Sequence, residues 1–209
     1  KRVFDGDKGP NTGGMGTFTP CPFYDDAVAE EVREKILLPT VRAMNAEGRP
    51  FKGVLYFGLM RTPDGMKVVE YNARFGDPET QVVLPMLKTD LMEIFLAVTE
   101  ERLADIKIEW EDGACVCVVL ASGGYPQHYE KGKPIEIGDL DEGVFLYHAG
   151  TKREGGVLKT SGGRVIGVCA KGATVAEARE KAYRNVEKIH FEGMQYRKDI
   201  GIKYVHEEH

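Results

Sequence analysis

VVEYNARFGDPE, residues 68 to 79, sets Glu70, Asn72 and Arg74 two residues apart in a run whose β-branched and aromatic residues read as a strand. Side chains alternate faces with a period of two along a strand, so a carboxylate, an amide and a guanidinium are expected on one face. Glu70 and Asn72 are hard oxygen ligands suited to Mg²⁺ or Mn²⁺, and Arg74 is a planar cationic fork for a phosphate or acyl-phosphate oxygen. An enzyme that activates a carboxylate with ATP needs these parts on one rigid wall. Spacing alone is explained equally well by an ordinary amphipathic strand with a solvated polar face, so the surroundings have to decide.

Working outward, GVLYFGLM (53 to 60) and MKVVEYN (66 to 72) flank RTPDG, a turn in which Pro63 sets φ and Gly65 relieves it, and the pair is expected to form an antiparallel hairpin. Upstream, residues 25 to 47 carry Val28, Val32, Ile36, Val41 and Met44 at nearly helical spacing. Pro39 removes a backbone donor and crowds the carbonyl of Lys35, which predicts a kink or break in that helix. Downstream of FGDP come two helical segments, about 78 to 88 and 90 to 104, the second opening at Asp90. A first module is expected to span residues 1 to 108.

The remainder, residues 109 to 209, changes character after the charged segment EWED (109 to 112). Short strands are expected at 114 to 121, 134 to 138, 144 to 150, 156 to 160 and 164 to 170, then a closing helix. Thr174 and Glu177 form a T-x-x-E capping box for it, and Val175, Ala178, Ala182, Val186 and Ile189 supply its buried stripe. The expected fold class is α+β, with a small sheet crossed by one helix closing the chain.

Two glycine-rich segments invite a binding role. In DGDKGPNTGGMG (5 to 16) there is no GK[ST] ending and no visible preceding strand, so neither the Walker nor the dinucleotide-binding mechanism applies. Consecutive glycines can let backbone N–H groups converge on an anion, so Asn11, Thr12, Gly13 and Gly14 are candidate substrate contacts; a plain irregular loop is the competing reading. In TSGGR (160 to 164), a Gly-Gly turn between two strands is sufficient explanation, with Arg164 a candidate phosphate contact.

Of 209 residues, 42% are hydrophobic and 29% charged, enough for a sizeable core in one or two domains. A net charge of -5 with interspersed signs argues against a nucleic-acid partner. No apolar run reaches membrane-spanning length and no signal segment opens the chain, which predicts no membrane partner and a cytoplasmic location. Cys115 and Cys117 alternate onto one face of an apolar strand, without zinc-ligand spacing, and Cys169 sits in a similar strand; all three are expected to be core residues. A start at Lys1, on the lip of a glycine-rich loop, suggests a piece of a longer chain. The closing VHEEH carries no inference.

Taken in order, DGDKGPNTGGMG, VLYFGLM with VVEYNARFGDPETQ, CVVLASGGYP (117 to 126) and GMQYRKDIG (193 to 201) closely resemble the phosphoribosylamine-glycine ligases, ATP-grasp enzymes of purine synthesis. The resemblance spans almost the whole chain but only the later part of such an enzyme: the carboxy-terminal part of the ATP-grasp domain followed by a small α+β carboxy-terminal domain. It implies that ATP phosphorylates glycine to glycyl phosphate and that 5-phosphoribosylamine displaces phosphate. It places the metal motif, for Mg²⁺ or Mn²⁺, on Glu70 and Asn72 and the glycine loop beside the substrates. Arg74 is inferred from its face to steady the transferred group, with a surface salt bridge as the competing reading. Asp77 either binds the glycine ammonium or caps the next helix. The family's missing amino-terminal half carries the phosphate-contacting lysine, so little turnover is expected from this chain alone. A related ATP-grasp carboxylate-amine ligase or carboxylase, or a noncatalytic assembly module, are the alternatives.

Overall fold

A computed structural model describes residues 1–202; the VHEEH tail lies outside the described residues. In chain order the elements are β1 (Arg2–Phe4), β2 (Lys8–Asn11), β3 (Gly16–Thr19), α1 (Asp26–Val32), α2 (Leu38–Ala46), β4 (Tyr56–Thr62), β5 (Gly65–Asn72), α3 (Thr80–Val83), α4 (Leu91–Thr99), β6 (Ala114–Ala121), β7 (Glu136–Ile137), β8 (Val144–His148), β9 (Thr151–Glu154), β10 (Val157–Thr160), β11 (Arg164–Gly172), α5 (Val175–Val186) and β12 (Ile189–His190). The mixture is α+β, as the sequence predicts.

Packing gathers these elements into two compact units, one of Lys1–Pro20, Asp77–Met86 and Glu111–His209, the other of Cys21–Gly76 and Leu87–Trp110. These units interleave along the sequence, and the sheet of the first unit supplies the reason. Its strand order is β3-β6-β11-β8, all antiparallel, with Thr17 opposite Cys117 and Cys117 opposite Cys169. An early strand therefore forms one edge of the late sheet. Every residue of β6 is buried because both faces are covered. Val116, Val118 and Leu120 pack with Val175, Ala178, Ala182 and Val186 of α5. Cys115, Cys117 and Cys169 pack with Val82 and Met86.

The period of two explains this division, since odd and even residues of β6 serve opposite faces. The three cysteines are thus small core residues, as expected. Cys115 and Cys169 sulfurs lie 3.8 Å apart, and the Cys169 thiol donates to the Gln81 carbonyl at 2.7 Å. Hydrogen bonding to the Cys115 and Cys117 sulfurs, with burial, pushes the Cys169 thiol far above its ordinary range. At the start of α5 the Thr174 hydroxyl accepts from the Glu177 N–H at 3.2 Å, and the Glu177 carboxylate accepts from Ala173 N–H at 2.9 Å. The expected capping box forms, with the glutamate reaching one residue further back.

In the second unit, β4 and β5 make the expected hairpin, closed between Thr62 and Gly65. α1 and α2 are joined by a wide π turn over Arg33–Leu37, with Pro39 in the first turn of α2. The wider turn is how the chain passes a proline that cannot donate to the Lys35 carbonyl. α4 starts where Asp90 accepts from Met92 N–H at 2.8 Å. Among the described residues, the buried apolar side chains that fall in this unit are Val32 and Ala97.

Candidate functional site

The hairpin of the second unit presents Glu70 and Asn72 at i and i+2 on β5, hence on one face. Glu70 stands opposite Gly58, and a Cβ at Gly58 would fall 2.8 Å from the Glu70 side chain, so the glycine leaves that side chain its space. One residue of β5, Val69, is bulged out between the pairs Gly58–Glu70 and Leu59–Val68. Without that bulge the register would carry the following residues to the other face. Carboxylate and amide oxygens fit a hard divalent cation. Among the described residues no group of three His, Cys, Asp or Glu is arranged to hold a metal, so a cation here would take its remaining ligands from substrate or water.

Arg74 lies beyond the end of the strand expected to carry it. β5 ends at Asn72, and Ala73 and Arg74 lie in a bend, so strand alternation does not set the Arg74 direction. Its guanidinium donates to the neighbouring Phe75 carbonyl at 2.7 Å. The approach to the Phe-Gly-Asp-Pro turn ends the ladder, as Gly and Pro commonly do at strand termini.

The first unit gathers the other candidates. A short hairpin, β1 with β2, precedes the glycine loop, contrary to the expectation of no strand there, and Asn11 ends β2 opposite Arg2. Alternation in KGPN is masked by Gly9 and Pro10, which are poor strand formers. Thr12 N–H and hydroxyl both donate to the Lys1 carbonyl at 2.8 Å. Gly13 N–H donates to the Tyr125 hydroxyl at 3.1 Å, and Gly14 N–H to the Thr12 hydroxyl at 3.0 Å. The amides expected to converge on an anion are each turned to a protein acceptor. Gly14, at φ +120°, is buried against Pro78: a Cβ there would lie 2.5 Å from the proline Cδ.

Asp77 and Arg164 meet beside this loop. Arg164 Nη2 donates to Asp77 Oδ2 at 2.9 Å, and Nη1 donates to the carbonyls of Asp77 and Gly13, both at 3.1 Å. Asp77 Oδ1 accepts from Gln81 Nε2 at 3.0 Å, and no side chain caps α3, so the helix-capping role does not hold. Lys1 lies 3.7 Å from Glu79 Oε1. Among the described residues, Glu79 Oε2 and Gln81 Oε1 are buried with no hydrogen-bond partner, a cost of about 1–3 kcal/mol each that calls for a reason.

Tyr125, Gln81 and Lys1 join this network without having stood out in the sequence. The Asp77-to-Gln81 spacing of four was a readable signal; Tyr125 reaches Gly13 across 112 positions, and no local pattern announces it. Glu70, Asn72 and Arg74 fall in one unit, and Asn11, Thr12, Gly13, Gly14, Asp77 and Arg164 in the other.

Comparison with known proteins gives two family matches: the ATP-grasp (A) domain of phosphoribosylglycinamide synthetase over residues 1–80 and its C domain over residues 115–203. A phosphoribosylamine-glycine ligase of Caldanaerobacter subterraneus subsp. tengcongensis is 55% identical over 206 residues, 98% of this chain and 49% of the relative. That of Caulobacter vibrioides is 52% identical over 205 residues, 96% of this chain and 48% of the relative. The crystal structure of the Thermotoga maritima phosphoribosylamine-glycine ligase superposes with a TM-score of 0.75 at 41% identity, over 96% of this chain and 49% of that one. The biotin carboxylase subunit of a pyruvate carboxylase, at 14% identity and TM-score 0.59, shares the fold over 93% of this chain and 42% of that one. The chain spans about half the length of the curated relatives it matches.

Proposed function

The chain belongs to the phosphoribosylglycinamide synthetase family, and from that premise we propose that it is the later part of an ATP-dependent ligase joining glycine to 5-phosphoribosylamine. The products are glycinamide ribonucleotide, ADP and phosphate, by way of glycyl phosphate. The observation that carries this reading is the pair of family matches in one order over residues 1–80 and 115–203, with Glu70 and Asn72 two residues apart on β5.

The chemistry required is in-line transfer of the ATP γ-phosphoryl group to the glycine carboxylate, then attack by the phosphoribosylamine nitrogen on the acyl carbon with departure of phosphate. Phosphoryl transfer is mostly positioning and charge neutralisation. Glu70 and Asn72 would hold Mg²⁺ or Mn²⁺, which supplies charge neutralisation for the triphosphate. Arg74, exposed and beyond the strand end, would leave the Phe75 carbonyl to steady the transferred group. Asp77 is half exposed. With the unpartnered oxygens of Glu79 and Gln81 nearby in sequence, it makes this turn rich in acceptors, which supports recognition of the glycine ammonium there. Asn11 and the Thr12-Gly13-Gly14 loop would border the same substrates.

On this reading residues 1–108 complete an ATP-grasp domain and 109–209 form the carboxy-terminal domain. The missing amino-terminal half is the partner, and the enzyme works in the cytosol. In support of the location, no helix among the described residues is long and apolar enough to cross a membrane.

The test is ADP release with Mg-ATP, glycine and freshly made phosphoribosylamine, each substrate left out in turn, with and without the amino-terminal half. Turnover that needs both substrates and the added half supports the ligase. Absence of turnover with the half present refutes it.

A further inference from the structure

We propose that Arg164 is a positioning residue of the proposed ligase site, fixing the glycine loop against the Asp77 turn. The inference rests on the ligase reading for its kinetic consequence and on geometry alone for the contact itself.

Three protein oxygens receive the Arg164 fork: the Gly13 carbonyl, the Asp77 carbonyl and the Asp77 carboxylate. The loop and the turn stand 64 positions apart in sequence and carry the residues assigned above to the substrates. Arg164 bonds to both from a third segment. Its own backbone is well anchored. The Arg164 carbonyl accepts from Gly150 N–H at 2.8 Å, and the preceding Gly163 carbonyl accepts from Ser122 N–H at 2.7 Å. The side chain is only 22% exposed, so it works from a held base rather than from a mobile arm.

The small residues around it fit the same purpose. A Cβ at Gly13 would come within 3.1–3.3 Å of the guanidinium, tighter than ordinary contact, so glycine lets the loop lie flush on it. A Cβ at Gly163 would fall 2.2 Å from the Tyr125 ring, and Tyr125 is the residue whose hydroxyl holds the Gly13 amide. Arginine suits this role because its planar fork serves several acceptors in fixed directions. A lysine ammonium on a flexible stem does not reproduce that geometry. A guanidinium already engaged by three protein oxygens is ill placed to be a dedicated phosphate ligand, which is the role its position after Gly162-Gly163 suggested.

The experiment has two arms. In this chain, hydrogen exchange of segments 11–16 and 77–83 is compared among wild type, Arg164→Gln, Arg164→Lys, Asp77→Asn and the Arg164→Gln/Asp77→Asn double variant. Each single substitution is expected to speed exchange in both segments by about tenfold, the ratio for ~1.4 kcal/mol. Lysine should not rescue it. The double variant should add little to either single one, since residues sharing one network are not additive.

In the reconstituted full-length enzyme, Arg164→Gln is expected to raise KM for glycine and phosphoribosylamine by about tenfold, with KM for ATP unchanged. Unchanged exchange in the loop and turn overturns the proposal. If KM rises for phosphoribosylamine alone while exchange is unchanged, Arg164 is a phosphate contact instead. Exchange is read without turnover, so an inactive wild-type enzyme would sink the ligase reading and leave the contact decided by the first arm.

Discussion

Gly14→Ala measures how tightly the glycine loop is seated. Gly14 is buried at φ +120°, a backbone region that costs a side-chain-bearing residue about 1–3 kcal/mol. The new Cβ would lie 2.5 Å from Pro78 Cδ, where ordinary contact begins at 3.4 Å, so 0.9 Å of overlap must be absorbed. Pro78 is itself buried and is a closed ring with no flexible end to move aside. Overpacking of this kind costs about 1–3 kcal/mol. Replacing glycine also stiffens the unfolded chain, returning about 0.4–1 kcal/mol, which leaves a net loss of about 2–5 kcal/mol. Gly132→Ala is the control: φ is +84° with no atom of the described residues within 4 Å of its Cβ, so only the backbone cost applies, about 1 kcal/mol after the same return. Urea unfolding of both variants by far-UV circular dichroism is the assay, because Trp110, the single tryptophan, lies in the other unit. A loss for Gly14→Ala within about 0.5 kcal/mol of the control, the usual scatter for independent sites, would show that the loop does not bear on Pro78.

In the full-length enzyme, Glu70→Ala is expected to lower metal-dependent ADP formation by at least about 10²-fold, as for loss of one preorganised charge-stabilising group. Its stability should change by no more than about 0.5 kcal/mol because the side chain is exposed; retained activity would remove Glu70 from the metal site. Hydrogen bonds from Arg197, opposed by desolvation, hold the Asp199 carboxyl down to about 2 from 3.8. A carboxyl lowered in the folded state contributes stability above its unfolded value and loses it as pH falls through the folded one. Stability should therefore fall between pH 4 and 2, and Asp199→Asn should flatten that limb while lowering the plateau at neutral pH; an unchanged acid limb, followed by circular dichroism, would contradict the assignment. Amides of β4, β5 and α4 are expected to exchange faster than those of β6 and β11, and adding the amino-terminal half should slow them; equal protection in the chain alone would contradict the thin core of that unit.

What the sequence disclosed follows the range over which each feature is encoded. The hairpin around Pro63 to Gly65, the interruption at Pro39, the Asp90 cap and the Thr174-to-Glu177 box are set by residues within a turn or two of one another. Each is where local chemistry puts it. The glycine loop is legible only in part for the same reason: TGGMG shows that its amides are free to converge, but not that Thr12 and Tyr125 already accept from them. The Arg164 fork, spanning 151 positions to Gly13 and 87 to Asp77, has no local signature. Alternation does not extend to Arg74, because β5 ends at Asn72 on the approach to FGDP.

The two units divide the proposed labour unevenly. Both faces of the β3-β6-β11-β8 sheet are packed, and the Asp77, Gly13 and Arg164 network is built on that buried frame. The Glu70 and Asn72 wall sits in the unit whose buried apolar side chains, among the described residues, are Val32 and Ala97. That unit leaves Met60, Val69, Tyr71, Met92, Phe95, Leu96 and Trp110 exposed. Apolar burial is the main force opposing chain entropy, at roughly 25 cal/mol per Å², so a unit with so little of it holds its polar residues loosely. A metal ligand pair must be held within about 0.5 Å of its productive geometry to work. On the proposed reading, the absent half of the ligase would therefore do more than contribute a lysine: by covering apolar surface it would stiffen the wall that carries Glu70 and Asn72. On that reading, weak nucleotide binding is the expected outcome for this chain alone, from poor preorganisation, even though both candidate metal ligands are present.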